Sequence, residues 1–237
     1  MTGYKFLAAG SVGRFSDFTW PVPQGEAPGE WVEGGAPLTD CLRGVHACRV
    51  DQLLDWIDDE LWEIELDGEC TDRDSMLIAE RGRLTRRVAS WDEDTARALG
   101  DACAWRSRGF ALDALRQIGL TYEAEQLLET ISLTDMQATA AAAVRTQGDS
   151  AATEVVAFAA DAVSLVGGRR PDAWRDAHAS FSTIVQTPAA TAANLAFVVA
   201  HAAGRAAASA GDEDAYATGF AAERAWQLTW LRERLGL

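Results

Sequence analysis

The chain has 237 residues, 48% apolar and 24% charged, and its 21 Lys and Arg against 36 Asp and Glu give a formal charge of −15. This is globular usage that excludes long disorder, and so acidic a surface repels phosphate backbones and anionic headgroups, which argues against nucleic acid and membrane as partners. No run approaches the ~18 apolar residues of a membrane span and no basic, then apolar, leader opens the chain, so a cytoplasmic protein with reduced thiols at its four cysteines is expected.

The length suits two domains, each large enough to bury a core. Residues 1–93 carry 9 basic and 19 acidic side chains, a net −10, which leaves 12 and 17, a net −5, for residues 94–237. Lys5 is the single lysine and every other cation is Arg, a bias that fits a GC-rich bacterial coding sequence and from which no function is read.

In chain order, Tyr4 to Ala9 reads as a short strand stopped by Gly10, and Ser11 to Pro37 is rich in Gly and Pro, as loops and hairpins are. Within that stretch Glu30-Trp31-Val32-Glu33 alternates like a half-buried strand. Val45 to Cys48 reads as a strand, followed by a short helix marked by Val50, Leu53, Leu54 and Ile57. Leu61 to Leu66 is the clearest strand, with one acidic face, and Asp67-Gly68 is expected to stop it. Met76 to Val88 fits one or two strands, or a strand and a helical turn, whose Arg81, Arg83, Arg86 and Arg87 would complement the acidic face.

At Ser90 the pattern changes, because Ser90 and Glu93 have the spacing of a capping box. Helices are expected over about 91–117, 121–130, 133–147, 150–166, 172–186, 188–210 and 213–235. The one over 188–210 should pack through Leu195, Val198, Val199, Ala202 and Ala206, and the last through Ala217, Phe220, Ala221, Arg224, Leu228, Leu231 and Leu235. The fold class expected is α+β: a strand-rich domain over 1–90 and an all-α, Ala-rich bundle over 91–237.

Chemistry concentrates at Cys41, His46 and Cys48, three soft or borderline donors within eight residues. Their spacing matches no common zinc module and a fourth ligand would have to be distant, so no metal and no cofactor are assigned. His46 is the candidate acid/base and the centre of a pocket, with Trp20, Trp31, Cys41, Cys48 and Arg49 as ligand-binding candidates; the plainer reading makes the cysteines small buried hydrophobes and has His46 bond the backbone. The acidic run from Asp55 to Glu65 reads as a solvated face. His178 and His201 fall inside helical patterns and carry no ligand motif.

The run Cys41-x-x-Gly44-x-His46-x-Cys48, with Trp62 to Leu66, Gly68-Glu69 and Asp74-Ser75, resembles a family of uncharacterised bacterial and phage domains across residues 4–90, with Val45 where that family has an aromatic residue. The resemblance implies no activity. The order of strand, helix and strand is also loosely similar to part of an ADP-ribosyltransferase-like fold, from which no catalytic residue is carried over. The helices ending in Glu223-Arg224-Ala225-Trp226-Gln227 resemble helical bacterial immunity proteins. The functional expectation is an accessory or binding protein with a small-molecule or protein partner near His46 and self-association through the Ala-rich helices. The alternative is an enzyme of small-molecule metabolism, with its site between the two parts and His46 as acid/base.

Overall fold

The computed structural model describes residues 1–40, 42–146, 151–166, 187–208 and 212–237. They form an α+β fold that divides into two compact units, Met1–Ala96 with Trp230–Leu237, and Arg97–Thr229. The helix expected over 172–186, with His178, lies outside the described residues.

The first unit is built on strands β1 (Thr2–Leu7), β2 (Val32–Glu33), β3 (Val45–Ala47), β4 (Glu60–Asp72) and β5 (Leu77–Arg87), all paired antiparallel. β4 lies between β1 and β5, and β2 and β3 both pair with β5. Beyond the end of β3, the Cys48 and Tyr4 backbones exchange two N–H···O bonds of 2.8 Å. The strands therefore close into a ring, β1-β4-β5-β3-β1. Its inner side is filled by Leu7, Trp62, Ile64, Leu66, Leu77, Ala79 and Leu84, with Trp20 supplied by the loop after β1. At about 1.5–3 kcal/mol for each large apolar side chain fully buried, this core is the main source of the unit's stability.

Asp67-Gly68 does not stop β4. A bulge between Asp67 and Cys70 takes Gly68 at φ +80, and the strand runs on to Asp72. Met76 to Val88 resolves into the single strand β5, and the segment after β3 is a 3-10 helix, Val50–Asp55. On the outer side of the β4–β5 pair, Glu63, Glu65 and Asp67 stand opposite Arg86, Arg83 and Arg81 in register and ion-pair with them, so the acidic face is matched as its sequence suggested.

Ser90 does not cap the first helix. α1 is Glu93–Gln117, and it is Asp92 whose Oδ1 accepts the Thr95 N–H at 2.8 Å, while the Ser90 hydroxyl donates to the Leu235 carbonyl at 3.1 Å. The cap sits two residues later than the spacing suggested because the chain first buries Trp91, which is 1% exposed, meets Phe6 edge-on at 5.6 Å and donates its indole N–H to Asp58 O at 2.8 Å. These residues and the C-terminal turn all belong to the first unit.

The second unit contains the rest of α1, α2 (Thr121–Leu128), α3 (Leu133–Thr146), α4 (Ala151–Val166), α5 (Pro188–Ala207) and α6 (Glu213–Leu235) up to Thr229. α5 starts where Pro188 occupies the first turn and the Thr187 hydroxyl accepts the Ala190 N–H at 3.1 Å. Its stripe of Leu195, Val198, Val199 and Ala202 is buried as expected, and Ala206 is half-buried. Gly219 lets α6 approach closely, since a Cβ there would lie 2.7 Å from Ala203 O.

The buried stripe of α6 differs from the expected one. Ala217 and Ala221 are exposed, and the polar Glu223 and Gln227 are buried. Arg106 of α1 ion-pairs with Glu223, and the Gln227 amide donates to Ala196 O at 2.9 Å and to Glu223 Oε1 at 3.3 Å. Hydrophobic periodicity passes over such positions because their partners come from other helices.

Candidate functional site

β3 alternates its side chains. Val45 and Ala47 point into the core, and half-buried His46 takes the opposite side, where it is paired across the sheet with Ile78. Behind it stands a residue that sequence reasoning set aside. Lys5 is opposite Trp62 in the β1–β4 register, so its side chain shares the inner face with Leu7. Its ammonium donates to His46 O at 2.6 Å and lies 4.6 Å from the centre of the Trp20 ring. Loss of water around this charge lowers the Lys5 pKa to about 8.

The same burial lowers the pKa of His46, helped by the nearby Lys5 charge and opposed by bonds to the Gly44 and Thr39 backbones and by Asp40. The imidazole is therefore neutral at physiological pH, held in place by those backbone bonds. Nearby, Thr39 N donates to Arg43 O at 2.9 Å and Arg43 N returns to Thr39 O at 3.0 Å. Asp40 reaches Arg73 at 3.2 Å, and Leu42 projects 85% exposed.

The other sequence candidates fall in different places. Cys41 lies outside the described residues. Cys48 is 1% exposed, its thiol donates to Tyr4 O at 3.4 Å, and desolvation pushes its pKa up to about 12. Such a thiol stays protonated at neutral pH and is not a nucleophile. Arg49 is half-buried and works as a clamp: it binds Asp51 at 3.0 Å, pairs with Asp72, and donates to Arg73 O at 3.3 Å, which ties the 3-10 helix to the tip of the β4–β5 hairpin. Trp20, expected as a loop indole lining a pocket, is instead a core residue, 7% exposed, because the loop after β1 folds back over the ring of strands. Trp31 lies under two guanidinium groups, 4.9 Å from Arg81 and 4.5 Å from Arg83.

A polar cleft of about 380 Å³ opens beside β2 and the bulge of β4, lined by Glu33, Gly35, Ala36, Gly68, Glu80 and Arg81. Its groups are engaged within the protein, Arg81 with Asp67 and Glu80 with the Glu69 N–H at 3.0 Å. Glu60 was also missed as an anchor: it accepts from Gly10 N at 3.2 Å, the Ser11 hydroxyl at 2.9 Å and the Trp62 indole at 3.0 Å. No signal in the sequence separates Glu60 from its acidic neighbours. For Lys5 there is one, a lone lysine inside an apolar run.

Among the described residues, no group of three His, Cys, Asp or Glu side chains is gathered to hold a metal ion, and no helix is long and apolar enough to cross a membrane. Comparison with protein-family models, with curated proteins and with solved structures finds no match in any of the three.

Proposed function

We propose that this chain is a non-enzymatic accessory protein that binds a partner protein through the surface formed by His46, Asp40 and Leu42. The observation that carries this reading is the state of the groups around His46. The Cys48 thiol is protonated and bonded to a strand carbonyl, and the Lys5 ammonium is occupied by a carbonyl and an aromatic face. What faces outward is recognition chemistry: the exposed Leu42 and the Asp40–Arg73 pair, beside a half-buried imidazole held by the Gly44 and Thr39 backbones.

The test is His46→Ala in the full chain. Residues that act in recognition at a surface cost little stability when truncated, so the Tm should move by less than about 2 °C while capture of the partner found by crosslinking in the host is lost. A large fall in Tm with binding retained would make His46 a structural residue of the sheet.

A further inference from the structure

The ring of strands is closed in part by a side chain. Among the described residues β1 and β3 share one bridged pair, Tyr4 with Cys48. Continued in the same antiparallel register, the next exchange of backbone bonds would join Phe6 to His46. At that place the His46 carbonyl accepts from the Lys5 ammonium at 2.6 Å. Lys5 therefore does the work of a backbone rung, reaching β3 from the inner face of β1.

The far end of this rung is fixed as well. The ammonium lies 4.6 Å from the centre of the Trp20 ring, and Trp20, itself in the core, donates its N–H to Ser11 O at 2.8 Å. Lys5 is the single lysine of the chain, and among the described residues no carboxylate ion-pairs with it. A cation set against a core without a counter-charge costs stability that an apolar side chain would not, so packing alone does not account for a lysine here.

On the opposite side of β3 the His46 ring bonds to the Gly44 and Thr39 backbones. The turn that brings them there requires glycine, since Gly44 has φ +116 and a Cβ on it would lie 2.5 Å from Ile78 Cγ2. His46 is thus gripped through its ring by the turn and through its carbonyl by Lys5. We propose that Lys5 is the positioning residue of the His46 surface, holding β3 through the His46 carbonyl and so fixing the imidazole for recognition. This rests on the reading of His46 as a recognition residue.

With one lysine in the chain, isotope-labelled lysine gives a single Nζ signal by NMR. In the wild-type protein its protons are expected to exchange with water at least about tenfold more slowly than those of free lysine at the same pH, and equal rates would overturn the proposal. Lys5→Met keeps the apolar stem and removes the donor and the charge. In that variant the Tyr4 and Cys48 amides should exchange faster, and the His46 ring signals should move and titrate at a higher pH than in wild type, because the positive charge that opposed protonation is gone and the pull of Asp40 remains. Unchanged ring signals and titration, whatever the change in Tm, would make Lys5 a structural residue only; Lys5→Leu serves in the same comparison if Lys5→Met does not fold. The partner captured through His46 should bind Lys5→Met about fivefold more weakly, and wild-type affinity would overturn the positioning role. Should His46→Ala bind that partner as wild type does, the recognition reading falls, whereas unchanged His46 ring signals in Lys5→Met strike the Lys5 proposal alone.

Discussion

Lys5 is the residue whose setting differs most from what its type suggests. This half-buried lysine sets its ammonium against the core of the strand unit, held by one carbonyl and one aromatic face. Its pKa falls to about 8 from an ordinary 10.5, so between those values the unfolded chain holds the proton more tightly than the folded one. Stability is therefore expected to rise as pH rises from about 8, by at most roughly 3 kcal/mol over the whole window. The buried thiols Cys48 and Cys103, each pushed from 9.0 to about 12, work in the opposite sense above pH 9, where the unfolded thiols ionise and the folded ones do not, and together they outweigh Lys5 there. Urea unfolding between pH 7 and 11 should thus show a rise between 8 and 9 followed by a reversal, and Lys5→Met should abolish the rise and keep the decline.

Glu223 presents the companion case in the helical unit. Its carboxyl is 1% exposed, burial raises its pKa, and the Arg106 and Gln227 bonds pull the other way. Removal of Arg106 by Arg106→Ala leaves that carboxylate without its counter-charge and is expected to cost about 2–3 kcal/mol. The double variant Arg106→Met with Glu223→Leu, which removes both charges, should lose less than Arg106→Ala alone. A double variant that is the less stable of the two would show the pair to be a net source of stability.

At the scale of elements, the start of α1 separates two readings of the same sequence. The Ser90/Glu93 spacing pointed to a capping box, yet the side chain that satisfies an orphan N–H is Asp92. Asp92→Ala is expected to cost about 1 kcal/mol, with a greater loss than Ser90→Ala; the reverse order in thermal unfolding would restore Ser90 as the cap. Strand boundaries were legible wherever alternation was strong, as in Leu61 to Leu66. They were not legible at Asp67-Gly68, because whether a glycine ends a strand or bulges within it depends on a partner strand that the local sequence does not contain. The α6 stripe holds at Leu231 and Leu235 but misses Glu223 and Gln227 for a related reason: both look like surface residues until Arg106 and Ala196 O are placed beside them.

For the whole molecule, the compact units do not follow the chain in a single cut, since Trp230–Leu237 groups with the strand unit. Leu231 and Leu235 are 0% and 7% exposed there, and Leu235 O accepts from Ser90. Truncation after Thr229 is therefore expected to destabilise the strand unit, with amides of β4 and β5 exchanging faster in hydrogen-exchange measurements; unchanged protection of those strands would show the C-terminal turn to be dispensable.

By itself, the sequence determined the α+β class, the run of helices after Trp91, the acidic face of β4 and its match to the arginines of β5, because each of these follows from periodicity and charge read locally. Only the tertiary structure decided what the individual chemical groups are able to do. Closure of the ring through Tyr4 and Cys48 puts Trp20 in the core, keeps the Cys48 thiol protonated and sets Lys5 behind His46. Burial and charge environment are properties of contacts between segments far apart in the chain, and it is those contacts that turn residue types into a core indole, a clamp or a cation with a lowered pKa.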